Sequence, residues 1–451
     1  MFKLKKRAMN NKKASRRTFI KKSAAGVIGV GFAFSARSYA NILGANNRVN
    51  VAVVGLHGRG KAHLSAINST VNTRIRAICD VDSRELTKTA ELVNEMNGQK
   101  PDVIVDIRKL LENKDIDAVT IATPDHWHAP MAIMAMQAGK HVYLEKPCCF
   151  NPQEGNWLIQ SQKKHGKVLQ VGNQQRSAPT SVQAVADIRA GIIGEAYMGK
   201  AWYANTRGSI GTGKNVTVPD WLDWDMWQGP APHTDYRDNI VHYNWHWFWR
   251  WGTGEINNNG FHELDICRWA LGVDYPSKIT SSGGRYSFDD DWQFYDTQIA
   301  SFEFGNDKMI SWEGRSCNGF NFHERGRGAT IHGTKGTVLL DRNGYWAYDN
   351  SGKLFKQVLE RGHSASTDIV GIGALDLYHM ENFVEAIRSD EKLNSPIEEA
   401  VKSNMMCHLG NIAQKFNRTL QTDPRDGKIM NDKEAMKLWS RDYAEGWKPV
   451  I

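Results

Sequence analysis

The stretch Asp117–Pro147, DAVTIATPDHWHAPMAIMAMQAGKHVYLEKP, reads as strand, loop, helix and strand closing on Glu-Lys-Pro. Asp117–Ala122 is an apolar run of strand length, Pro130–Ala138 is rich in Ala and Met, and Gly139 stands where a helix C-cap glycine belongs. His141–Leu144 is a second strand. Two strands joined through a helix make a right-handed parallel crossover, so the loop Thr123–His128 and the turn Glu145-Lys146-Pro147 are expected to open on one carboxyl edge of a sheet. Ligands bind at that edge.

Working outward, Arg48–Gly55 (RVNVAVVG) is a buried strand that runs into Gly55-Leu56-His57-Gly58-Arg59-Gly60, with a helix expected from Lys61. Glycines between a strand and a helix let backbone N–H groups approach a pyrophosphate at the helix N-terminus. The loop departs from G-x-G-x-x-G, because His57 holds the second glycine position. Thr73–Asp80 alternates as a second strand and ends on an acid twenty residues after Gly60, as a dinucleotide crossover requires. A carboxylate at Asp80 accepts ribose hydroxyls and repels a 2′-phosphate, which favours NAD; Arg84 nearby leaves NADP open. Lys167–Gly172 is read as the last strand of this sheet, and Asn173, Gln174 and Arg176 just beyond it are candidate contacts to nicotinamide or substrate.

After a helix at Val182–Ala190 the pattern changes to strands in succession: Glu195–Asn205, Lys278–Tyr286, Tyr295–Phe304, Lys308–Gly314 and Gly328–Leu340. Strands without intervening helices mean an antiparallel sheet. The fold class is therefore an α/β Rossmann domain (46–176) followed by an α+β domain (177–451) with a large, mostly antiparallel sheet. Ala374–Arg388 and Glu398–Phe416 carry apolar residues at helical spacing and are expected to pack across the domain junction.

The Glu145-Lys146-Pro147 turn and Thr123-Pro124, followed by His126 or His128, resemble the glucose-fructose oxidoreductase, inositol dehydrogenase and rhizopine catabolism family of NAD(P)-dependent sugar oxidoreductases. The resemblance runs from about Arg48 to the last helices. It extends to Gly252–Trp269, GTGEINNNGFHELDICRW, which is similar to a substrate-domain motif with an acid four residues before a histidine and another three after it. His262 matches the histidine and Asp265 the later acid, while Asn258 stands where the earlier acid would be. The resemblance implies that His262 is the base for a substrate hydroxyl and that Lys146 holds the alcohol oxygen. It also implies cofactor contacts from Gly55, Gly58, Arg59, Gly60, Asp80, Thr123, His128, Glu145, Lys146 and Asn173. With Asn258 in place of an acid, His262 is expected to lack one charge-assisted partner.

Seven of the sixteen tryptophans fall between Trp221 and Trp251, among His242, Tyr243, His246 and Arg250. Aromatic faces suit the C–H faces of sugar rings, which makes Trp245, His246 and Arg250 substrate candidates beside Gln174 and Arg176; core packing or a subunit interface explains the same cluster equally well. His242 and His246 have the spacing of helical metal ligands, but no acid accompanies them and no metal is expected. Gly208–Lys214 (GSIGTGK) imitates a P-loop, yet Asn215 replaces the hydroxyl residue and Val216–Pro219 cannot open a helix.

The expected activity is oxidation of a hydroxyl on a sugar or glycoside, with tightly bound NAD and a homo-oligomeric assembly. Two rivals remain. One is a redox-neutral, NAD-dependent glycosidase that works through a keto-sugar intermediate; relatives of that kind carry a different sequence in place of Glu145-Lys146-Pro147. The other is a catalytically silent sugar-binding protein, which intact Lys146 and His262 argue against.

The first forty residues hold eleven Lys or Arg and no Asp or Glu, with Arg16-Arg17, an apolar run Ala24–Phe34 and a small-residue site Ser38-Tyr39-Ala40. This is the order of a Tat export leader (1–40), too short and glycine-rich in its apolar part for a stable membrane span. Removing eleven charges from the formal +8 leaves −3 for the rest, so the basic balance belongs to the leader and nucleic acid is not an expected partner. The expected destination is the periplasm, reached folded through the Tat machinery. Six scattered cysteines are expected to be free thiols. Replacing Arg16 and Arg17 together with Lys should strand the protein in the cytoplasm, as cell fractionation would show; unimpaired export would refute the leader assignment.

Overall fold

The computed structural model describes residues 48–305, 307–360 and 374–451, so the leader and its twin arginines lie outside the described residues. Six parallel strands, β1 (Val49–Val54), β2 (Thr73–Cys79), β3 (Asp102–Ile104), β4 (Ala118–Ile121), β5 (His141–Leu144) and β6 (Leu169–Val171), form one sheet in the order β3-β2-β1-β4-β5-β6. Val51, Ala52 and Val53 are completely buried, as a parallel strand between helical layers demands. Helices α1 (Arg59–Ser69), α2 (Ser83–Asn97), α3 (Ile107–Glu112), α4 (Asp125–Gln137) and α5 (Pro152–His165) supply the crossovers.

Two boundaries differ from the sequence reading. Helix α1 starts at Arg59 and α4 at Asp125, so His126 and His128 are helical and the loop after β4 is only a few residues long. Pro124 at the N-cap stops the strand, and the Asp125 carboxylate sits on the positive end of the helix dipole. Pro130 removes a donor inside α4. The His126 carbonyl left over accepts a hydrogen bond from Arg441 at 2.6 Å.

Helix α6 (Pro179–Arg189) leads into β7 (Ala196–Ala204), and the short α7 (Trp224–Gln228) and α8 (Phe261–Leu271) follow. The second sheet adds β8 (Lys278–Gly284), β9 (Thr297–Phe304), β10 (Lys308–Arg315), β11 (Arg327–Gly333), β12 (Gly336–Asp341), β13 (Gly344–Asp349) and β14 (Leu354–Leu359). After α9 (Ala374–Ser389) and α10 (Ile397–Phe416), β15 (Leu420–Gln421) completes it. Its order is β14-β13-β12-β11-β7-β10-β9-β8-β15, antiparallel except between β7 and β10. The single strand read at Gly328–Leu340 is a hairpin, β11 and β12, because Thr334-Lys335 turns between two glycines; a Cβ on Gly333 would lie 2.3 Å from the Ile193 carbonyl oxygen. Strands β13 and β14 extend the sheet beyond the strands expected from the sequence, and Asn343-Gly344 is the hairpin signal that marks the first of their turns.

Helix α9 buries Met380, Phe383 and Val384 against Val49, Val51 and Tyr143 of the parallel sheet, whereas α10 lies against α5, α8 and β8. All six cysteines are free, five of them buried. Among the described residues no helix is long and apolar enough to cross a membrane.

Candidate active site

The carboxyl ends of β1, β2, β4 and β5 and residues from the second sheet enclose a cleft of about 550 Å³. Its first half is built for a dinucleotide. Gly55 has φ +85°, and a Cβ on Gly60 would lie 1.8 Å from the Gly55 carbonyl oxygen, so the loop tolerates no side chain at either place. Gly58 caps α1 with no side-chain hydrogen bond, leaving the first amides of the helix to a ligand at the cleft. The Thr123 hydroxyl is buried on the cleft wall without a hydrogen-bond partner. Amides and a hydroxyl in these positions fit a pyrophosphate-containing cofactor.

Asp80 lines this half while accepting hydrogen bonds from the amides of Leu56 (2.7 Å) and Asp82 (3.0 Å); burial raises its pKa against these contacts. Arg84 is committed to Asp82 and stacks 3.4 Å above the Trp221 ring. Despite the effect of burial, hydrogen bonds from Arg84 and His242 hold the Asp82 carboxyl down at about 2. His242 in turn stacks on His57 at 4.4 Å, so the tryptophan-rich segment is clamped over the glycine loop.

Four expected cofactor contacts, Arg59, Glu145, His128 and Asn173, are occupied by protein groups, and Asn173 does not line the cleft. The Arg59 guanidinium reaches Glu145 (2.7 Å) and Asp376 of α9, and Glu145 also meets His63 at 3.1 Å and Gln174 at 3.1 Å. Although burial opposes it, Arg59 and His63 hold the Glu145 carboxyl well below the usual range. Both ring nitrogens of His128 face carbonyl oxygens, Pro147 at 2.6 Å and Thr123 at 2.8 Å, which ties the β4 exit to the lysine turn.

Lys146 and His262 face the same cleft. The Lys146 ammonium donates to the Asn258 carbonyl oxygen (2.7 Å) and to Asn258 Oδ1 (3.0 Å), so one of its three N–H groups remains for a substrate oxygen. Asn258 lies in the π-turn Ile256–Gly260 ahead of α8, which presents its carbonyl to the lysine. Burial lowers the Lys146 pKa, opposed by Glu145 and Asp125.

His262 is served from another direction. Asn173 donates its amide to Asp265 Oδ2 at 2.5 Å and turns its oxygen to His262 Nδ1 at 3.2 Å. Nδ1 therefore carries the hydrogen, and Nε2 keeps its lone pair. Burial pushes His262 well below its ordinary range, with Arg342, Arg327 and Lys146 adding to the effect, so the ring is neutral. The partner of His262 is thus a neutral amide and not a carboxylate, while Asn258 itself is bonded to Lys146.

Arg176 and Arg250 are corrected as substrate contacts. Arg176 forms a buried fork on Asp265, 2.7 Å through each of two nitrogens, and Arg250 donates to the Pro232 carbonyl oxygen away from the cleft. Gln174, Trp245 and His246 do line it. His246 stacks on Trp245 at 3.6 Å, and burial pushes its pKa down to about 3. The other tryptophans mostly pack on one another, Trp224 on Trp227 and Trp247 on Trp292, which favours the packing explanation for the cluster. His242 and His246 do not converge: the first turns to Asp82, the second to the Tyr243 carbonyl oxygen.

The substrate half also holds Tyr243, named in the aromatic cluster above, and Tyr203, Arg207, Arg327 and Arg342, which the sequence reading does not single out. They arrive from strand ends, loops and turns far apart in the chain; β7–β11 pairing sets Arg327 opposite Tyr203, and the β12–β13 turn brings Arg342.

Comparison with known proteins places the chain among oxidoreductases. A family model described as "Oxidoreductase family, NAD-binding Rossmann fold" matches residues 49–173, and its companion "Oxidoreductase family, C-terminal alpha/beta domain" matches 222–410. A glycosyl hydrolase family 109 protein of Shewanella sp. (strain ANA-3) is 30% identical over 159 residues, 34% of this chain and 35% of that protein. An alpha-N-acetylgalactosaminidase of Shewanella oneidensis matches with the same identity and coverage. The chain thus aligns with about a third of the length of these relatives. The scyllo-inositol dehydrogenase of Lactobacillus casei, solved with NAD(H) and scyllo-inositol, shares the fold at TM-score 0.62 and 18% identity over 83% of this chain and 99% of that one.

Restoring an acid beside the lysine tests the geometry. Asn258→Asp should raise the Lys146 pKa by placing a carboxylate on the ammonium. Activity that requires the charged lysine falls as pH rises through that pKa, so the alkaline limb of kcat/KM should move up by about one unit or more. An unmoved limb would separate Lys146 from the titration.

Proposed function

The chain belongs to the Gfo/Idh/MocA oxidoreductase family, whose first domain binds NAD, and from that premise we propose that it oxidises a ring hydroxyl of a sugar or glycoside to a ketone. The observation that carries this reading is the pairing of Lys146 and His262 in one cleft, each oriented by a separate partner.

NAD, when bound, supplies the hydride acceptor. Lys146 holds the substrate oxygen with its remaining N–H and stabilises the negative charge that develops there. His262 Nε2 takes the hydroxyl proton, and Asn173 keeps the ring in the tautomer that can accept it. The alcohol carbon gives up hydride, the oxygen gives up its proton, and a ketone remains.

The matches to proteins named glycosyl hydrolase family 109 and alpha-N-acetylgalactosaminidase support a second reading, in which the ketone is transient. It would acidify the neighbouring C–H; loss of that proton would expel the aglycone and leave an unsaturated keto sugar, water would add where the aglycone left, and return of the hydride would restore the hydroxyl. Product analysis by mass spectrometry separates the two: a keto sugar with its aglycone attached supports oxidation, and free aglycone with no net keto product supports the glycosidase.

The Tat-type leader adds a constraint. A protein exported folded to the periplasm leaves the cytoplasmic NAD pool, so a dissociable cofactor would be lost by mass action. The cofactor is accordingly loaded before export and retained beneath the His57–His242 clamp. Denaturing the purified, unsupplemented protein should release close to one nicotinamide dinucleotide per chain; an empty protein that needs added NAD would defeat retention.

Lys146→Ala and His262→Ala should each keep the thermal transition and the bound dinucleotide while losing about 100- to 10,000-fold in rate. Near wild-type turnover in either variant would remove that residue from the mechanism.

A further inference from the structure

The substrate half of the cleft carries two phenols whose oxygens already accept hydrogen bonds from the protein. Tyr203 stands near the exit of β7 and Tyr243 in the tryptophan-rich segment, and both line the cleft with Lys146 and His262. Arg207 reaches both, donating from Nη1 to the Tyr243 hydroxyl oxygen at 2.6 Å and from Nη2 to that of Tyr203 at 3.4 Å. Asn205 gives Tyr203 its shorter bond, 2.6 Å, and the Thr206 amide on Asn205 Oδ1 at 2.7 Å fixes which end of that side chain donates. Guanidinium and amide N–H groups only donate, so each phenol oxygen receives and each O–H points elsewhere. Among the described residues neither hydrogen meets an acceptor, and both phenols face the cleft.

The arginine that sets this direction is itself fixed. Its Nε donates to Glu255 Oε2 at 2.8 Å and its backbone amide to the Ser316 carbonyl oxygen at 2.9 Å, while Ser316 Oγ donates to the same carboxylate oxygen at 2.9 Å. Burial opposes the charge on Glu255, but Arg207 prevails and keeps its pKa lowered, so the guanidinium is matched by a carboxylate behind it. Burial raises the Tyr243 pKa against the hydrogen bonds from Arg207 and Asn258, and it pushes Tyr203 up to about 12. Both phenols therefore keep their hydrogens at neutral pH. Asn258 Oδ1 also accepts from Lys146 at 3.0 Å, so a single amide joins the Tyr243 donor to the lysine ammonium.

We infer that Tyr203 and Tyr243 are a pair of fixed hydroxyl donors that bind two oxygens of the sugar ring, Tyr243 taking the oxygen next to the one that Lys146 holds. This rests on the reading of the cleft as a sugar site. The pair selects a ring by its acceptor oxygens. A ring carbon that bears only hydrogen at either place displaces water from a phenol and gives it no acceptor in return, which is how a hydrogen-bonding site rejects a deoxy analogue. Arg207 and Glu255 act through the phenols, as the groups that aim them.

The test is calorimetric titration of the NAD-loaded protein with D-glucose, D-galactose, N-acetyl-D-galactosamine and scyllo-inositol, then with the monodeoxy analogues of whichever binds most tightly, followed by mass spectrometry of products. Tyr203→Phe and Tyr243→Phe should each weaken the parent sugar by about five- to tenfold. For each tyrosine one monodeoxy analogue should show a similar loss on the wild type, and the matching Phe variant should bind that analogue no more weakly than the wild type does, because the partner is already gone. If one variant fails to fold, the other tyrosine and the wild-type deoxy series decide. Phe variants that bind the parent like the wild type, or that weaken every analogue equally, overturn the inference. Phenol-dependent binding without any keto product leaves it standing and sinks the oxidoreductase reading instead, whereas keto products with binding indifferent to both phenols do the reverse. A protein that binds none of the four parents overturns the inference together with the sugar reading.

Discussion

The carboxylate of Asp265 is the interaction on which the site depends. It is completely buried, and an isolated carboxylate there would cost several kcal/mol. Arg176 answers it with a fork, Asn173 with its amide, and Ser403 with a hydroxyl at 2.6 Å. These partners come from the exit of the last parallel strand and from α10, while Asp265 itself is on α8. One buried charge therefore joins three elements, and removing either ion would strand the other at a cost of about 3–5 kcal/mol. Burial raises the Asp265 pKa, but Arg176 prevails and keeps it lowered, so the network stays ionised and its geometry fixed.

The consequence for chemistry is indirect. Asp265 does not touch His262, and a charge against the ring would have raised its pKa. Asn173 passes on the orientation without the charge, which leaves His262 neutral with Nε2 toward the cleft. Lys146 is treated in the same way, held by the carbonyl and amide oxygens of Asn258 with no carboxylate in hydrogen-bond contact. Both reactive groups are therefore positioned by neutral atoms, and each keeps a pKa lowered by burial.

A second ion network fixes the cofactor half. Arg59 spans Glu145 at the end of β5 and Asp376 on α9, so the glycine loop, the lysine turn and a helix from the far end of the chain move as one unit. Gly172 completes it, since a Cβ there would lie 2.8 Å from the Glu145 carboxyl. The expectation that Arg59 and Glu145 reach the cofactor came from their places in the motif. Their side chains act one layer further back, shaping the loop that would hold it.

The sequence alone determined the two-domain plan, because strand–helix alternation and strand succession are local periodicities that no distant contact overrides. It also located Gly55, Gly60, Asp80, Lys146 and His262, each at a fixed offset from a strand end or within a short motif. It did not locate Tyr203, Arg207, Arg327 and Arg342, since they share no motif and meet only when β7 pairs with β11 and the β12–β13 turn folds back. Nor did it distinguish side chains aimed at the cleft from those aimed at one another: Arg176 reads as a substrate contact until Asp265, 89 positions away, is seen to bind it. Which arginine faces a ligand and which a buried acid is decided by long-range ion pairing, and only the tertiary structure brings those partners together.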